Sequence, residues 1–211
     1  AYGSTMSFTT KDGGSGGSFT DPRDGNVYKT VSIGNQVWMA ENLRYLPGVV
    51  GPGEGSLTTV YYYVYDYVGS NVNQAKAASN YTTYGVLYNW PAACTSCPSG
   101  WHLPTDAEWT VLTSYLGGNE VAGGKLKETG TVHWNTPNIG ASNETEFTAL
   151  PGGYRNYSGM FEMMGGYGSW WSTDEYQTDY AWLRSIGYDF GTVYRNNDDK
   201  SVGVSVRCVK D

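Results

Sequence analysis

Residues 97–112 read CPSGWHLPTDAEWTVL and carry the clearest structural signal in the chain. Thr105 and Glu108 stand three residues apart, which is the spacing of a capping box at the start of a helix. Gly117-Gly118 ends the apolar pattern that follows. The stretch therefore predicts a helix that begins after Thr105 and contributes Trp109 to a core. The side chains that recur at helical spacing are Ala107, Val111, Leu112 and Tyr115.

Further elements are predicted on both sides of this helix. Upstream, residues 29–43 (KTVSIGNQVWMAENL) alternate like two strands bent at Gly34-Asn35. Downstream, Glu120 to Glu128 predict a second short helix, and from Phe147 onward short β-type runs are separated by Gly and Asn turns. Two helices followed by short antiparallel strands and much irregular loop indicate an α+β fold.

The start of the chain differs from the rest. Residues 1–10 alternate like a strand, and residues 11–18 (KDGGSGGS) have the composition of a flexible spacer. We expect residues 1–18 to be the tail of a preceding immunoglobulin- or fibronectin-like domain plus a Gly/Ser linker. Residues 19–211 are long enough to bury one substantial core, so we expect them to form a single domain.

Composition restricts the classes of partner. The net charge is −7 and no basic stripe is present, which argues against nucleic acid. No run approaches the roughly 18 apolar residues that a membrane-spanning helix needs. Aromatic residues make up 15% of the chain, with 19 Tyr and 8 Trp, and rigid amphipathic rings of this kind are typical of binding surfaces. The composition therefore favours recognition of a protein or glycan ligand.

Several stretches, read in order, resemble one known family. They are DPRDGNVYKTVSIGNQVWMAENLRY (21–45), YGVLYNWPAA (84–93), CPSGWHLPTDAEWTVL (97–112), FTALPGGYRNYSGMF (147–161), GSWWSTDE (168–175) and GVSVRCVKD (203–211). Together they are similar to the Fibrobacter succinogenes major paralogous domain, a family of bacterial surface and lipoprotein modules. The resemblance implies a C-type-lectin-like fold at the cell surface, lipoprotein-anchored or phage-borne. That fold is shared with the formylglycine-generating enzymes and with variable proteins diversified by retroelements.

The resemblance also implies a disulfide. Three cysteines, Cys94, Cys97 and Cys208, permit one bridge and leave an odd thiol. In C-type-lectin-like folds the segment that leads into the first helix is commonly tied to the last strand, which here means Cys97–Cys208. A short Cys94–Cys97 bridge is the competing pairing.

The sequence contains few of the residue patterns that an enzyme of this fold would need. An activity related to the formylglycine-generating enzymes would need reactive cysteines near the C-terminal end. Only Cys208 lies there, alternating with Val204 and Val206 on a presumed strand face, as a structural cysteine does. No zinc-ligand spacing or nucleophile motif appears. We expect no catalytic residue and no cofactor, although the oxygen-rich run at residues 196–199 leaves a structural calcium open.

The C-terminal stretch carries the predicted binding site. Alternation and the pattern of the family that the chain resembles together assign core positions to Ala181, Leu183, Ile186, Val193, Val202 and Val206, and Trp101, Trp109 and Trp170 are also expected to be buried. Between the core positions lie aromatic and short polar side chains, which binding surfaces favour. A second aromatic core beneath the loops is the competing interpretation, and a purely structural surface module is the alternative function. We predict that one exposed face binds ligand through Tyr176, Tyr180, Trp182, Tyr188, Tyr194, Asn196 and Asp198.

Overall fold

The structure is a computed structural model that describes residues 16–211. Residues 1–15 of the predicted tail and linker (1–18) lie outside the described residues. The strands are β1 (Gly17–Thr20), β2 (Val27–Ile33), β3 (Gln36–Met39), β4 (Tyr62–Tyr63), β5 (Leu87–Tyr88), β6 (Trp101–His102), β7 (Gly152–Arg155), β8 (Phe161–Met164), β9 (Tyr167–Gln177), β10 (Tyr180–Gly187), β11 (Val193–Asp199) and β12 (Val209–Lys210). The helices are α1 (Val72–Lys76), α2 (Ser79–Tyr84), α3 (Trp90–Ser96), α4 (Asp106–Tyr115) and α5 (Asn119–Leu126).

The α+β class is confirmed, but the prediction of two helices is wrong because α1, α2 and α3 precede the predicted pair. These additional helices have five to seven residues. Such short segments span too few turns to show a hydrophobic period. Two of them begin at a side-chain cap, since Asn71 accepts from the backbone of α1 and Asn89 accepts from that of α3.

The main sheet has five strands in the order β1-β2-β3-β12-β6. The predicted hairpin at Gly34-Asn35 is confirmed, since β2 pairs antiparallel with β3 from Thr30↔Met39 to Ile33↔Gln36. The last strand, β12, lies between β3 and β6 and pairs with both. The two ends of the described chain therefore meet in one sheet. β1 begins at Gly17, two residues before the predicted domain boundary.

The predicted capping box at the start of α4 is confirmed. The Thr105 hydroxyl accepts from the Glu108 backbone N–H at 3.1 Å, and the Glu108 carboxylate accepts from the Thr105 backbone N–H at 2.8 Å. Three of the four side chains that recur at helical spacing are exposed; only Leu112 is buried. The face that packs on the core is instead formed by Trp109, Leu112, Thr113 and Leu116, whose i, i+3, i+4, i+7 spacing places them on one side of the helix.

Helix α5 begins one residue earlier and ends two residues earlier than predicted. Its two adjacent glycines allow the helix to touch backbone. A Cβ added at Gly123 would lie 2.7 Å from the carbonyl oxygen of Gly191, and the Gly124 N–H donates to the same oxygen at 3.0 Å. The loop before β11 is thus held directly against the helix.

Two apolar clusters pack against opposite faces of the second sheet, whose order is β11-β10-β9. Adjacent residues of a strand point to opposite faces, and so Trp171 and Leu183 enter one cluster while Trp170 and Ile186 enter the other. The predicted burial is confirmed for Trp101, Trp109, Trp170, Ala181, Leu183, Ile186, Val193, Val202 and Val206.

A disulfide joins Cys97 to Cys208 across a sequence separation of 111 residues. This confirms the pairing that the family resemblance implies, and the competing Cys94–Cys97 bridge is wrong because Cys94 is a free, exposed thiol. The bridge ties the segment between α3 and β6 to the chain just before β12. Within residues 16–211, no helix has the length and apolar character that crossing a membrane requires.

Candidate functional site

The register of the β9-β10-β11 sheet decides where the predicted site residues point. Trp182 pairs with Asn197, and Ser185 pairs with Tyr194. Directly paired residues share a face, and successive residues alternate between faces. An even-numbered residue of β10 therefore shares its face with an odd-numbered residue of β11.

The expectation that the seven predicted residues share one exposed face is wrong for this reason. Tyr194, Asn196 and Asp198 lie on one face of the sheet. Tyr180 and Trp182 lie on the other, where the Tyr176 ring packs on Trp182 with 4.7 Å between ring centroids. Alternation along one strand shows which of its residues share a face, but it does not show how that strand pairs with its neighbour.

Tyr188 belongs to neither group. It follows β10, is half-buried, and packs against the apolar cluster that contains Trp170. Its backbone N–H donates to the Gly166 carbonyl at 3.0 Å. Tyr188 therefore has a packing role. For this one of the seven predicted residues, the competing interpretation of a second aromatic core holds.

A cleft of about 500 Å³ lies on the face that carries Asn196 and Asp198. Its floor is apolar where Leu183 and Val204 meet, and both side chains are buried. The β7-β8 hairpin contributes Tyr154 and Met163, and β9 contributes Tyr167 and Ser169. The cleft thus lies between the edge strand β11 and the β7-β8 hairpin, and its size is in the range of small-ligand sites.

The polar groups of the cleft are a mixture of hydroxyl, amide and carboxylate. The hydroxyls of Ser169 and Ser185 are 3.0 Å apart and both residues are buried. Tyr154 donates its hydroxyl to Glu162 at 3.0 Å. Burial, followed by this hydrogen bond to a carboxylate, raises the pKa of Tyr154 to about 12, so the phenol is neutral at physiological pH. Burial also raises the pKa of Asp198 above its ordinary value.

An aromatic row extends from the cleft along the same sheet. The rings of Tyr167 and Phe190 are 5.9 Å apart, and those of Phe190 and Tyr194 are 4.8 Å apart, both edge to face. Tyr194 is 45% exposed, so the row reaches solvent. This row offers ring edges and faces to a ligand that extends beyond the cleft.

Sequence reasoning missed the part of the cleft that does not come from residues 176–198. Tyr154 and Met163 lie in the β7-β8 hairpin, and Ser169 lies on β9. The segment at 147–161 entered only as a family motif. The paired glycines Gly152-Gly153 before Tyr154 marked it as a segment of close backbone approach, a signal that does not say what it approaches.

On the opposite face, Trp182 is part of a packed group. The guanidinium of Arg195 lies 3.3 Å from the Trp182 ring centroid and its Nε donates to Asp106 at 2.9 Å. Arg184 donates to the same carboxylate at 2.7 Å. Burial alone would raise the pKa of Asp106, but hydrogen bonds from Arg195 and Arg184 outweigh it and lower that pKa. Trp182 therefore helps to join the sheet to the start of α4.

The oxygen-rich run at residues 196–199 does not converge on one point. Asn196 and Asp198 face the cleft, whereas Asn197 and Asp199 point to the other side of β11. The Asp199 carboxylate accepts from the backbone and hydroxyl of Ser201 and shapes the following turn. Within residues 16–211, no group of three or more His, Cys, Asp and Glu side chains is arranged to hold a metal ion.

His102 links the last described residue to α4. Its Nδ1 is 2.6 Å from a carboxylate oxygen of Asp211, and its Nε2 is 2.8 Å from one of Glu108. Burial alone would lower the pKa of His102, but hydrogen bonds to Asp211 and Glu108 outweigh it and raise the pKa above 6.5.

This histidine predicts a pH-dependent contribution to stability. A pKa raised in the folded state stabilises the fold fully below the unfolded pKa, and the contribution is lost as pH rises through the folded pKa. The His102→Gln variant should therefore lose more unfolding free energy relative to wild type at about pH 5.5 than at about pH 8.5. The difference should stay below about 1 kcal/mol because the groups are partly solvated. Urea unfolding at both pH values measures it; an equal loss at both would contradict the assignment.

Fold and site together define a disulfide-closed α+β domain with a polar, aromatic-walled cleft on a three-stranded sheet. The chain belongs to the Fibrobacter succinogenes major domain family, because the sequence profile of that family matches residues 31–210. Comparison with curated proteins found no match. Comparison with solved structures found none either.

Proposed function

We propose that this chain is a non-catalytic recognition module that acts outside the cell and binds a protein or glycan ligand in the cleft between β11 and the β7-β8 hairpin. The observation that carries the proposal is the composition of that cleft. Tyrosine rings, a buried hydroxyl pair and the side chains of Asn196 and Asp198 surround an apolar floor. Rings beside short polar groups suit both stacking on sugars and anchoring of protein side chains.

The proposed architecture is that of a C-type lectin. Its support is the arrangement of the chain ends, in which the last strand lies inside the sheet formed by the first strands. A disulfide between the segment leading into α4 and the end of the chain adds to it. Disulfides persist mainly in oxidising compartments, which favours a location at the cell surface, lipoprotein-anchored or phage-borne.

The non-catalytic part of the proposal has its own support. Cys208 is bonded to Cys97, so the cysteine that an enzyme related to the formylglycine-generating group would use is engaged in a structural bridge. Titration of thiols on the native protein tests this point. One accessible thiol, at Cys94, is expected. A second reactive thiol, at Cys208, would contradict the proposal.

Diversification by a retroelement remains part of the proposal. Residues Tyr194 to Asn197 on the edge strand β11 are exposed while Val193 before them is buried, so the exposed positions can vary without emptying the core. The neighbouring nucleotide sequence tests it. A second, near-identical copy of the C-terminal region that differs mainly at adenines would support diversification, and its absence would contradict it.

The function is tested with two matched substitutions on one strand. Asn196→Arg places a long side chain in the mouth of the cleft. Asn197 also borders the cleft, but the strand register directs its side chain to the opposite face, so Asn197→Arg places the same side chain away from the cleft. Both positions are exposed, so neither change should unfold the protein. On a glycan array and a displayed peptide library, ligands bound by wild type should be retained by N197R and lost by N196R.

Other results on the same arrays would contradict the site. If N196R keeps the ligands and Trp182→Ala loses them, the binding face is that of Tyr176, Tyr180 and Trp182. If the wild-type protein binds no glycan and no peptide, the proposed recognition of these two ligand classes is contradicted. The hypothesis of a purely structural surface module is then favoured. Unchanged thermal midpoints show that each variant is folded.

A further inference from the structure

Two carboxylates, that of Asp198 in the cleft and that of Glu162 beside it, have no cationic partner among residues 16–211. Asp198 accepts the backbone N–H of Asp199 at 2.8 Å, and Glu162 accepts from the hydroxyl of Tyr154 and the side-chain amide of Asn156 at 3.0 and 2.9 Å. All of these donors are uncharged. Hydrogen bonds from neutral groups satisfy the oxygens in part, but they leave the negative charge of each carboxylate uncompensated.

The cationic side chains of the surrounding strands are engaged elsewhere. Strands β7 to β11 contain three, Arg155, Arg184 and Arg195. Arg155 donates to the backbone carbonyls of Pro52 and Ser201. Arg184 and Arg195 both bind Asp106 on the opposite face of the sheet. Arg195 also borders the cleft, but its guanidinium is held by Asp106 and the Trp182 ring. Each of the three arginines therefore has partners other than the two carboxylates.

Aromatic rings border the same space. Tyr154 and Tyr167 both line the cleft with Asp198, on a floor of buried apolar side chains. A carboxylate beside tyrosine faces is a combination that attracts an organic cation, because the ring faces carry negative charge density and the carboxylate supplies a full charge. The net charge of −7 adds a long-range attraction for cations.

We propose that the cleft holds its ligand through a primary ammonium group, placed against Asp198 and the rings of Tyr154 and Tyr167. The inference rests on the proposed binding function of the cleft and names the chemistry that the ligand must carry. Two sources present this group to a surface protein: the side chain of lysine in a protein and an amino sugar in a glycan.

The test uses small probes that differ only in the cation. The first pair is N-acetyl-lysine methylamide and its ε-acetylated form; the second is glucosamine and N-acetylglucosamine. Amide resonances of the isotope-labelled protein are followed by two-dimensional NMR at millimolar probe. The free amines should shift residues of β9, β10 and β11 around the cleft, and the acetylated partners should bind at least fivefold more weakly. If the lysine probe binds more tightly, the natural ligand is a protein; if glucosamine binds more tightly, it is a glycan.

Two substitutions that each remove one carboxylate distinguish an effect of Asp198 in the cleft from an effect of the overall negative charge. Asp198→Asn removes the cleft carboxylate and keeps the shape of the side chain. Asp179→Asn removes the same charge from the exposed turn between β9 and β10, which does not line the cleft. D198N should weaken amine binding at least fivefold, and D179N should change it less than twofold.

The ways of failing are distinguishable. If acetylated and free probes shift the cleft equally, or D198N binds amines as well as wild type does, the ammonium inference is overturned while the cleft stands as a binding site. If array ligands are unaffected by N196R, the proposed function fails as well. Amine shifts that map away from β9, β10 and β11 would overturn the inference directly.

Discussion

Replacing Trp109 by alanine is expected to lower the free energy of unfolding by about 3–5 kcal/mol, the usual cost of emptying a large aromatic site. Trp109 is fully buried at the centre of an aromatic group. Its ring lies 4.8 Å from that of Trp38 and 6.3 Å from those of Phe147 and Trp170, measured between centroids. The side chain thus joins α4 to β3, β9 and the loop before β7. Urea unfolding followed by circular dichroism measures the loss.

Two further variants make this prediction sharper. The indole N–H of Trp109 has no hydrogen-bond partner among residues 16–211. Trp109→Phe should therefore cost clearly less than the alanine change, because it keeps most of the ring and removes a buried donor without a partner. Val111→Ala, on the exposed side of the same helix, should change stability by less than about 0.5 kcal/mol. A W109A loss no larger than that of V111A would contradict the burial.

Replacing Lys127 by methionine is expected to cost about 3 kcal/mol or more, because three carbonyl oxygens would each lose a hydrogen bond worth about 1 kcal/mol or more in a buried site. The ammonium of Lys127 donates to the carbonyls of Ile139, Gly187 and Phe190 at 2.8–2.9 Å. The side chain is fully buried and methionine is close to it in length. Through these hydrogen bonds Lys127 connects the turn between β10 and β11 with the loop after α5.

The matched control is Lys125→Met, two residues away. Lys125 forms a partly exposed ion pair with Glu144 at 3.1 Å, and such pairs contribute about 0–1 kcal/mol. K125M should therefore lie close to wild type while K127M unfolds at clearly lower urea concentration. Equal effects would show that the three carbonyls find other partners and would contradict the role of Lys127.

The Lys127 contacts also bear on the cleft. Phe190, whose carbonyl accepts from Lys127, stacks edge to face with Tyr167 and Tyr194. Loosening this turn should disturb one end of the aromatic row, so in K127M the resonances of Tyr167 and Tyr194 should broaden or shift. Binding variants should accordingly be chosen on β11 and not in this turn, because effects on stability and on binding would otherwise be mixed.

Local patterns were sufficient for several elements. The capping box of α4 depends on two residues three positions apart, and the hairpin at Gly34-Asn35 depends on a turn between two alternating runs. The short helices α2 and α3 were missed because each spans at most two turns. The stripe of α4 that faces the core was predicted only in part, since Trp109 and Leu112 are buried as expected whereas Ala107, Val111 and Tyr115 lie on the exposed side of the helix.

What the sequence determined by itself is which residues fill the core, because burial of apolar side chains follows alternation within a strand and spacing within a helix. Val193, Ile186 and Leu183 were placed correctly by alternation together with the family pattern. Only the tertiary structure decided which exposed residues share a face. The pairing of Ser185 with Tyr194 sets even residues of β10 opposite to even residues of β11, and this register depends on contacts between strands. The same holds for Tyr154, which reaches the cleft from a hairpin that is distant in sequence and adjacent only after folding.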